Sequence, residues 1–223
     1  MQLKIKVSLL IILATCVLDM GCKSLTKTQK GASIGAGAGG VIGAFIGKSA
    51  GNTALGAIIG GAVGGTAGAF IGKSMDKQAA ELKQAIPGAT IVRQGESIVV
   101  KFDSGILFDT DKADLKTDAI TNLQNLAASL QKNPDTNVLI IGHTDNSGAE
   151  ERNKQLSIQR AEAVKDYIAS ANINQNRLSV QGKGDADPIA DNKTTQGRAQ
   201  NRRVEIIISA NDQMKKRAKY AQE

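Results

Sequence analysis

Asp145 follows closely on a short apolar run, Val138 to Ile141, and Arg160 interrupts an otherwise apolar helical pattern a little further along. Asn153 and Arg160 are seven residues apart, about two turns, so both lie on one face of a helix. A carboxylate and a guanidinium turned toward one pocket suit a zwitterion, the aspartate accepting from an ammonium and the arginine donating in bidentate fashion to a carboxylate. On spacing alone this is weak, because an Asp and an Arg this close more often form a structural ion pair. His143, the sole histidine, reads as a hydrogen-bonded turn residue, because no second histidine or cysteine is near and no nucleophile is indicated. Asp109-Thr110-Asp111 and Asp185-Ala186-Asp187 imitate calcium loops but lack the glycine at the sixth position and the glutamate at the twelfth, so no metal site is expected there.

These residues need elements to hold them. Pro87-Gly88 marks a boundary, after which Ile91 to Arg93 and Ser97 to Phe102 read as short strands around Gln94-Gly95-Glu96. Leu115, Ile120, Leu123, Leu126, Ala127 and Leu130 recur at three and four and predict a helix that stops before Pro134. Val138 to Ile141 predicts a buried strand. Leu156, Ala161, Val164, Ile168 and Ala171 predict a second helix, and Leu178 to Val180 and Val204 to Ile208 two more strands. The order is β-β-α-β-α-β-β, an α+β domain over residues 90–210 with two helices on one face of a mixed sheet. Asp145 then sits in the loop between strand and helix, where small polar ligands are commonly held.

Composition excludes several chemistries. The 223 residues include two cysteines and one histidine, too few for a disulfide framework or a Cys/His metal site, and no cofactor is indicated. Aromatic residues make up 3%, which leaves little for base stacking despite a formal charge of +7. Thr90 to Ala210 holds 15 Lys and Arg against 16 Asp and Glu, so the basicity belongs to the flanks and no nucleic-acid partner is expected.

Residues 1–21 read as a signal peptide: Lys4 and Lys6 precede an uncharged apolar run from Val7 to Leu18, shorter than the roughly 20 residues of a spanning helix. The segment ends at Gly21 before Cys22, which resembles the bacterial lipoprotein pattern, although Asp19 and Met20 depart from its usual small or apolar residues. That resemblance implies a lipid-modified, palmitate-bearing Cys22 and a lipidated linker over 22–30. Lys23, in place of an aspartate, resembles an outer-membrane address.

From Gly31 to Gly72 glycines recur every fourth residue in two series, Gly31 to Gly51 and Gly56 to Gly72. Glycine at that spacing lets helices approach closely, and the break after Gly51 predicts a helical hairpin in or on lipid over 31–74. The repeat of GAFIGKS at 43–49 and 68–74 supports duplication of one helical unit. GKS here is no phosphate loop, because the required first glycine is replaced by Ile42 and Ala67. Residues 75–89 read as a linker and 211–223 as a basic tail.

GHTDNSGAEERNKQLSIQRAEAV, then DPIADNKTTQGRAQNRRVEI, with FDTDKADL ahead of both, resembles the peptidoglycan-binding domain of the OmpA C-terminal family. Peptidoglycan-associated lipoproteins and flagellar motor stator proteins share that domain. With the signal and the glycine ladder, the chain resembles lipoproteins that join a glycine zipper to an OmpA-like domain. The resemblance implies noncovalent binding of the diaminopimelate in the stem peptide, with the family's aspartate on Asp145 and its arginine on Arg160. Its supporting positions fall on Asn153, Thr144, Asp109, Asp111 and Arg202, although Asp111 and Arg202 could instead pair with each other or with solvent. The expectation is a nonenzymatic outer-membrane lipoprotein, facing the periplasm and tethered to the wall. The alternative is an assembly component that oligomerises through its glycine zipper, with wall binding secondary; a defined homo-oligomer favours this alternative and a monomer favours tethering.

Overall fold

The computed structural model describes residues 66–221. The expected signal peptide, Cys22 and the glycines from Gly31 to Gly64 lie outside the described residues. The elements run α1 (Thr66–Ala85), β1 (Thr90–Gln94), β2 (Ser97–Asp103), α2 (Ser104–Leu107), α3 (Thr117–Lys132), β3 (Thr136–His143), α4 (Glu150–Ser170), β4 (Leu178–Gly184), α5 (Thr195–Asn201), β5 (Arg203–Ala210) and α6 (Asp212–Tyr220).

The strands form one mixed sheet in the order β1-β2-β5-β3-β4. The last strand therefore lies at the centre, antiparallel to β2 and β3, and β4 runs parallel to β3 at one edge. Side chains alternate across a strand, so Ile98, Val100 and Phe102, Val138 and Ile140, and Val204, Ile206 and Ile208 all bury on one face. Onto it α3 brings Leu123, Leu126 and Leu130, and α4 brings Ala161, Val164 and Ile168, closing one apolar core. The five expected strands and two main helices occur in the order read from the sequence, with α1, α2, α5 and α6 in addition.

The segment read as a linker over 75–89 is different. Helix α1 runs straight through the expected boundary at 74, carrying Gly68 and Gly72 of the glycine ladder with it. Its Ile71, Met75, Ala79 and Leu82, with Ile86 just beyond, recur at three and four and are buried in the same core as the sheet. Burying such a stripe stabilises by about 1.5–3 kcal/mol for each large side chain, which favours docking over a free tether. Polar contacts fix the register: Arg93 donates from Nε to Asp76 Oδ1 at 2.8 Å and from Nη2 to the Gly72 carbonyl at 3.4 Å. Asn125 of α3 caps the other end, donating to the Ala85 carbonyl at 2.7 Å.

The basic tail is also helical. The Asn211 side chain accepts from the Gln213 and Met214 amides at 3.0 Å, capping α6, and Met214 and Ala218 join the core. Among the described residues no helix is long and apolar enough to cross a membrane.

Two glycines set the seat of α4. A Cβ at Gly142 would stand 2.0 Å from the Ser157 carbonyl oxygen, and one at Gly182 2.4 Å from Ile158 Cγ1. Helix α4 thus rests directly on the backbone of β3 and β4, an approach that any side chain at those positions would prevent.

Candidate ligand-binding site

At the end of β3 the chain leaves the sheet through Thr144 and Asp145 and re-enters α4 at Glu150. The Asp145 side chain turns back on its own loop, where Oδ1 accepts from the Ser147 amide at 2.9 Å. Its Oδ2 accepts from Arg202 Nη1 at 2.5 Å. Burial alone would push the Asp145 carboxyl up, but the hydrogen bonds from Arg202 and Ser147 outweigh it and hold the group below the ordinary carboxylate range.

Arg202 reaches Asp145 because its neighbours are fixed. Arg203 points to the opposite side of β5 and is almost wholly buried, bonded from Nε to Glu205 Oε1 at 2.7 Å and donating to the carbonyls of Asn201 and Asp187. Asn201 in turn accepts from the Ile189 and Ala190 amides at 2.8 and 2.9 Å. Together they pin the long connection from β4 to β5.

Arg160 lies two turns along α4 from Asn153, and both side chains are buried on the same helix face, as their spacing predicts. Arg160 is only 2% exposed. Its Nε donates to the Lys112 carbonyl at 3.0 Å and its guanidinium carbon stands 5.3 Å from the centre of the Phe108 ring. Among the described residues no carboxylate lies within ion-pair distance of it. Burial pulls the Arg160 pKa below its ordinary value, Arg202 adds to that, and the Asp111 and Asp145 carboxylates act against it.

These groups line one cleft of about 460 Å³. All seven residues singled out from the sequence, Asp109, Asp111, Thr144, Asp145, Asn153, Arg160 and Arg202, are in its wall. Asn153 donates to the Asp145 carbonyl at 3.2 Å and so braces the loop. Asp111 and Arg202 do not pair with each other: Asp111 lies 3.6 Å from Arg152 on the exposed rim, while Arg202 is committed to Asp145. Asp109 is likewise exposed, 3.9 Å from Lys112. Sequence reasoning missed Ser104, Phe108 and Ser147, which also line the wall. Phe108, inside the FDTD motif, was within reach of that motif; Ser104 carried no signal.

His143 differs from its reading as a hydrogen-bonded turn residue. It is the last residue of β3, buried on the face away from the helices, and neither ring nitrogen has a hydrogen-bond partner among the described residues. Glu205 stands 4.0 Å away but is engaged by Arg203. Burial, with Arg203 and Lys183 adding to it, lowers the imidazole to about 2, so the ring is neutral.

Comparison with known proteins adds the following. The OmpA family model matches residues 107–202 and the YMGG-like Gly-zipper model residues 1–76. The chain is similar to the probable lipoprotein YiaD of Escherichia coli K12, 38% identical over 185 residues that cover 79% of this chain and 83% of that protein. It is 41% identical over 104 residues to the peptidoglycan-binding protein ArfA of Mycobacterium tuberculosis, covering 47% of this chain and 32% of that one. Among solved structures, the cell wall anchor of the type VI secretion system from Pseudomonas aeruginosa aligns with a TM-score of 0.54 at 28% identity, over 61% of this chain and 97% of that chain.

Proposed function

Since the chain belongs to the OmpA family, with a glycine zipper ahead of that domain, we propose that it is a nonenzymatic peptidoglycan-binding lipoprotein that holds the outer membrane to the cell wall. Cys22 carries the lipid, the glycine-rich segment lies at the membrane, and the cleft takes the diaminopimelate of the stem peptide. Several acyl chains, at about 0.8 kcal/mol per buried methylene, suffice to keep such a protein on a bilayer.

The observation that carries the reading is Arg160. A guanidinium held 2% exposed, without a carboxylate partner, is costly to bury unless an anion arrives to pair with it. Diaminopimelate supplies a carboxylate for Arg160 and an ammonium for Asp145 on one carbon. The known relatives named for binding or anchoring at the wall share this domain, which supports the same ligand here. A polymer beside a membrane-bound receptor presents its stem peptides at high effective concentration, so individual sites need not be tight.

The test is titration of the full chain in detergent micelles with a meso-diaminopimelate stem peptide and with its lysine counterpart. Saturable binding to the first, weaker binding to the second, and loss of both in Asp145→Ala and Arg160→Lys are expected. A folded chain that binds neither peptide overturns the assignment.

A further inference from the structure

Two hydroxyls in the cleft are left over once the contacts above are assigned. Ser104 is 3% exposed and Thr144 5%, both line the cleft, and neither side-chain oxygen has a hydrogen-bond partner among the described residues. A buried hydroxyl without a partner is destabilising, and such groups are uncommon in folded proteins. Thr144 adjoins Asp145 in sequence and is already counted with it. Ser104 comes from a different part of the fold, the first residue of α2 after β2.

Its backbone ties it to the surroundings of both arginines of the cleft. The Phe108 amide donates to the Ser104 carbonyl at 2.7 Å, and it is the Phe108 ring on which the Arg160 guanidinium stacks. The Ser104 amide donates to the Arg202 carbonyl at 2.8 Å, so both backbone groups of Ser104 are engaged and its position is fixed. The hydroxyl is the one polar group of the residue without a role in the fold.

We propose that Ser104 is a specificity-determining contact of the cleft, its hydroxyl donating to the ligand carboxylate that Arg160 neutralises. This rests on the diaminopimelate reading and adds to it a donor from β2–α2 that neither motif nor charge pattern marks. A hydroxyl donating to a carboxylate adds directional discrimination to the charge of Arg160, which attracts any anion. Lysine, which lacks that carboxylate, gives Ser104 nothing to bind.

The experiment is the same titration of the full chain in detergent, comparing Ser104→Ala with the unaltered protein against both stem peptides, with a thermal melt of each ligand-free chain. The variant should bind the diaminopimelate peptide about 3- to 10-fold more weakly, bind the lysine peptide as before, and melt at the same temperature or higher. Unchanged affinity for the diaminopimelate peptide, an equal loss for both peptides, or a lowered melting temperature overturns the role given to Ser104. If the unaltered chain itself binds neither peptide, it is the underlying ligand assignment that falls.

Discussion

Arg202 Nη1 and Asp145 Oδ2 are 2.5 Å apart, so the carboxylate proposed to receive the ligand's ammonium already carries a cation from the protein. Arg202 is the more exposed partner, with 42% of its side chain accessible, against 8% for Asp145. It can therefore swing aside or share the carboxylate when a ligand enters, and Asp145 is kept ionised in the meantime.

The pair makes an acid-stability prediction. A carboxyl whose folded pKa is depressed contributes stability above its unfolded value, about 3.9, and loses it as pH falls through the folded value. Arg202→Ala should raise the Asp145 pKa, measurable by NMR titration, and lower stability at neutral pH by about 1 kcal/mol or less, since the arginine is solvent-screened. An unmoved Asp145 titration would show that the hydrogen bond is not maintained in solution.

His143 makes a second prediction in a different pH window. Its imidazole falls from 6.5 unfolded to about 2 folded, so the unfolded chain takes up the proton first and stability drops as pH falls below 6.5. The loss should be about 0.7 kcal/mol from pH 7 to 6 and about 1.2 kcal/mol from pH 6 to 5, approaching about 1.4 kcal/mol per unit only at lower pH. Denaturant melts at pH 7, 6 and 5 should show this slope, and His143→Gln should flatten it. An equal slope in the variant would assign the acid sensitivity to other groups.

Helix α1 decides where the domain begins. A chain starting at residue 87 lacks Ile71, Met75, Leu82 and Ile86, each 1% exposed or less. Losing them forfeits several kcal/mol from a domain whose whole stability is about 5–15 kcal/mol. Such a fragment should show poor amide dispersion in NMR, whereas one starting at residue 66 should be well dispersed. Within the full chain Met75→Ala should cost about 2–5 kcal/mol.

Gly142 links packing to the site. Gly142→Ala would force its Cβ against the Ser157 carbonyl and lift α4, the helix that bears Arg160 and Asn153. A loss of about 1–3 kcal/mol in stability, from overpacking, should accompany weaker binding of the diaminopimelate peptide. Gly148, where a Cβ meets nothing within 4 Å but φ is +94°, serves as a control for backbone strain without displacement of the helix.

Much of this was legible along the chain. Asn153 and Arg160 share one helix face by their seven-residue spacing, and Asp145 lies in the loop between β3 and that helix, so spacing brings them to one strand end, while their reading as one site comes from the family resemblance. The alternation in β2, β3 and β5 and the three-and-four spacing in α3 and α4 likewise determine which faces are buried. Short-range geometry is what a sequence pattern encodes directly.

What only the tertiary structure decided is what those faces and side chains meet. The stripe of Ile71, Met75, Ala79 and Leu82 was present in the sequence, but its neighbouring glycines assigned it to the membrane segment and the following lysines to a linker. Docking against the sheet and α3 decided otherwise, because buried apolar area outweighs local composition. Likewise Arg202 meets Asp145, and Ser104 meets the backbone of Arg202, only because β5 inserts between β2 and β3. No local pattern reports such a pairing, since strand order is settled by the whole sheet finding one core.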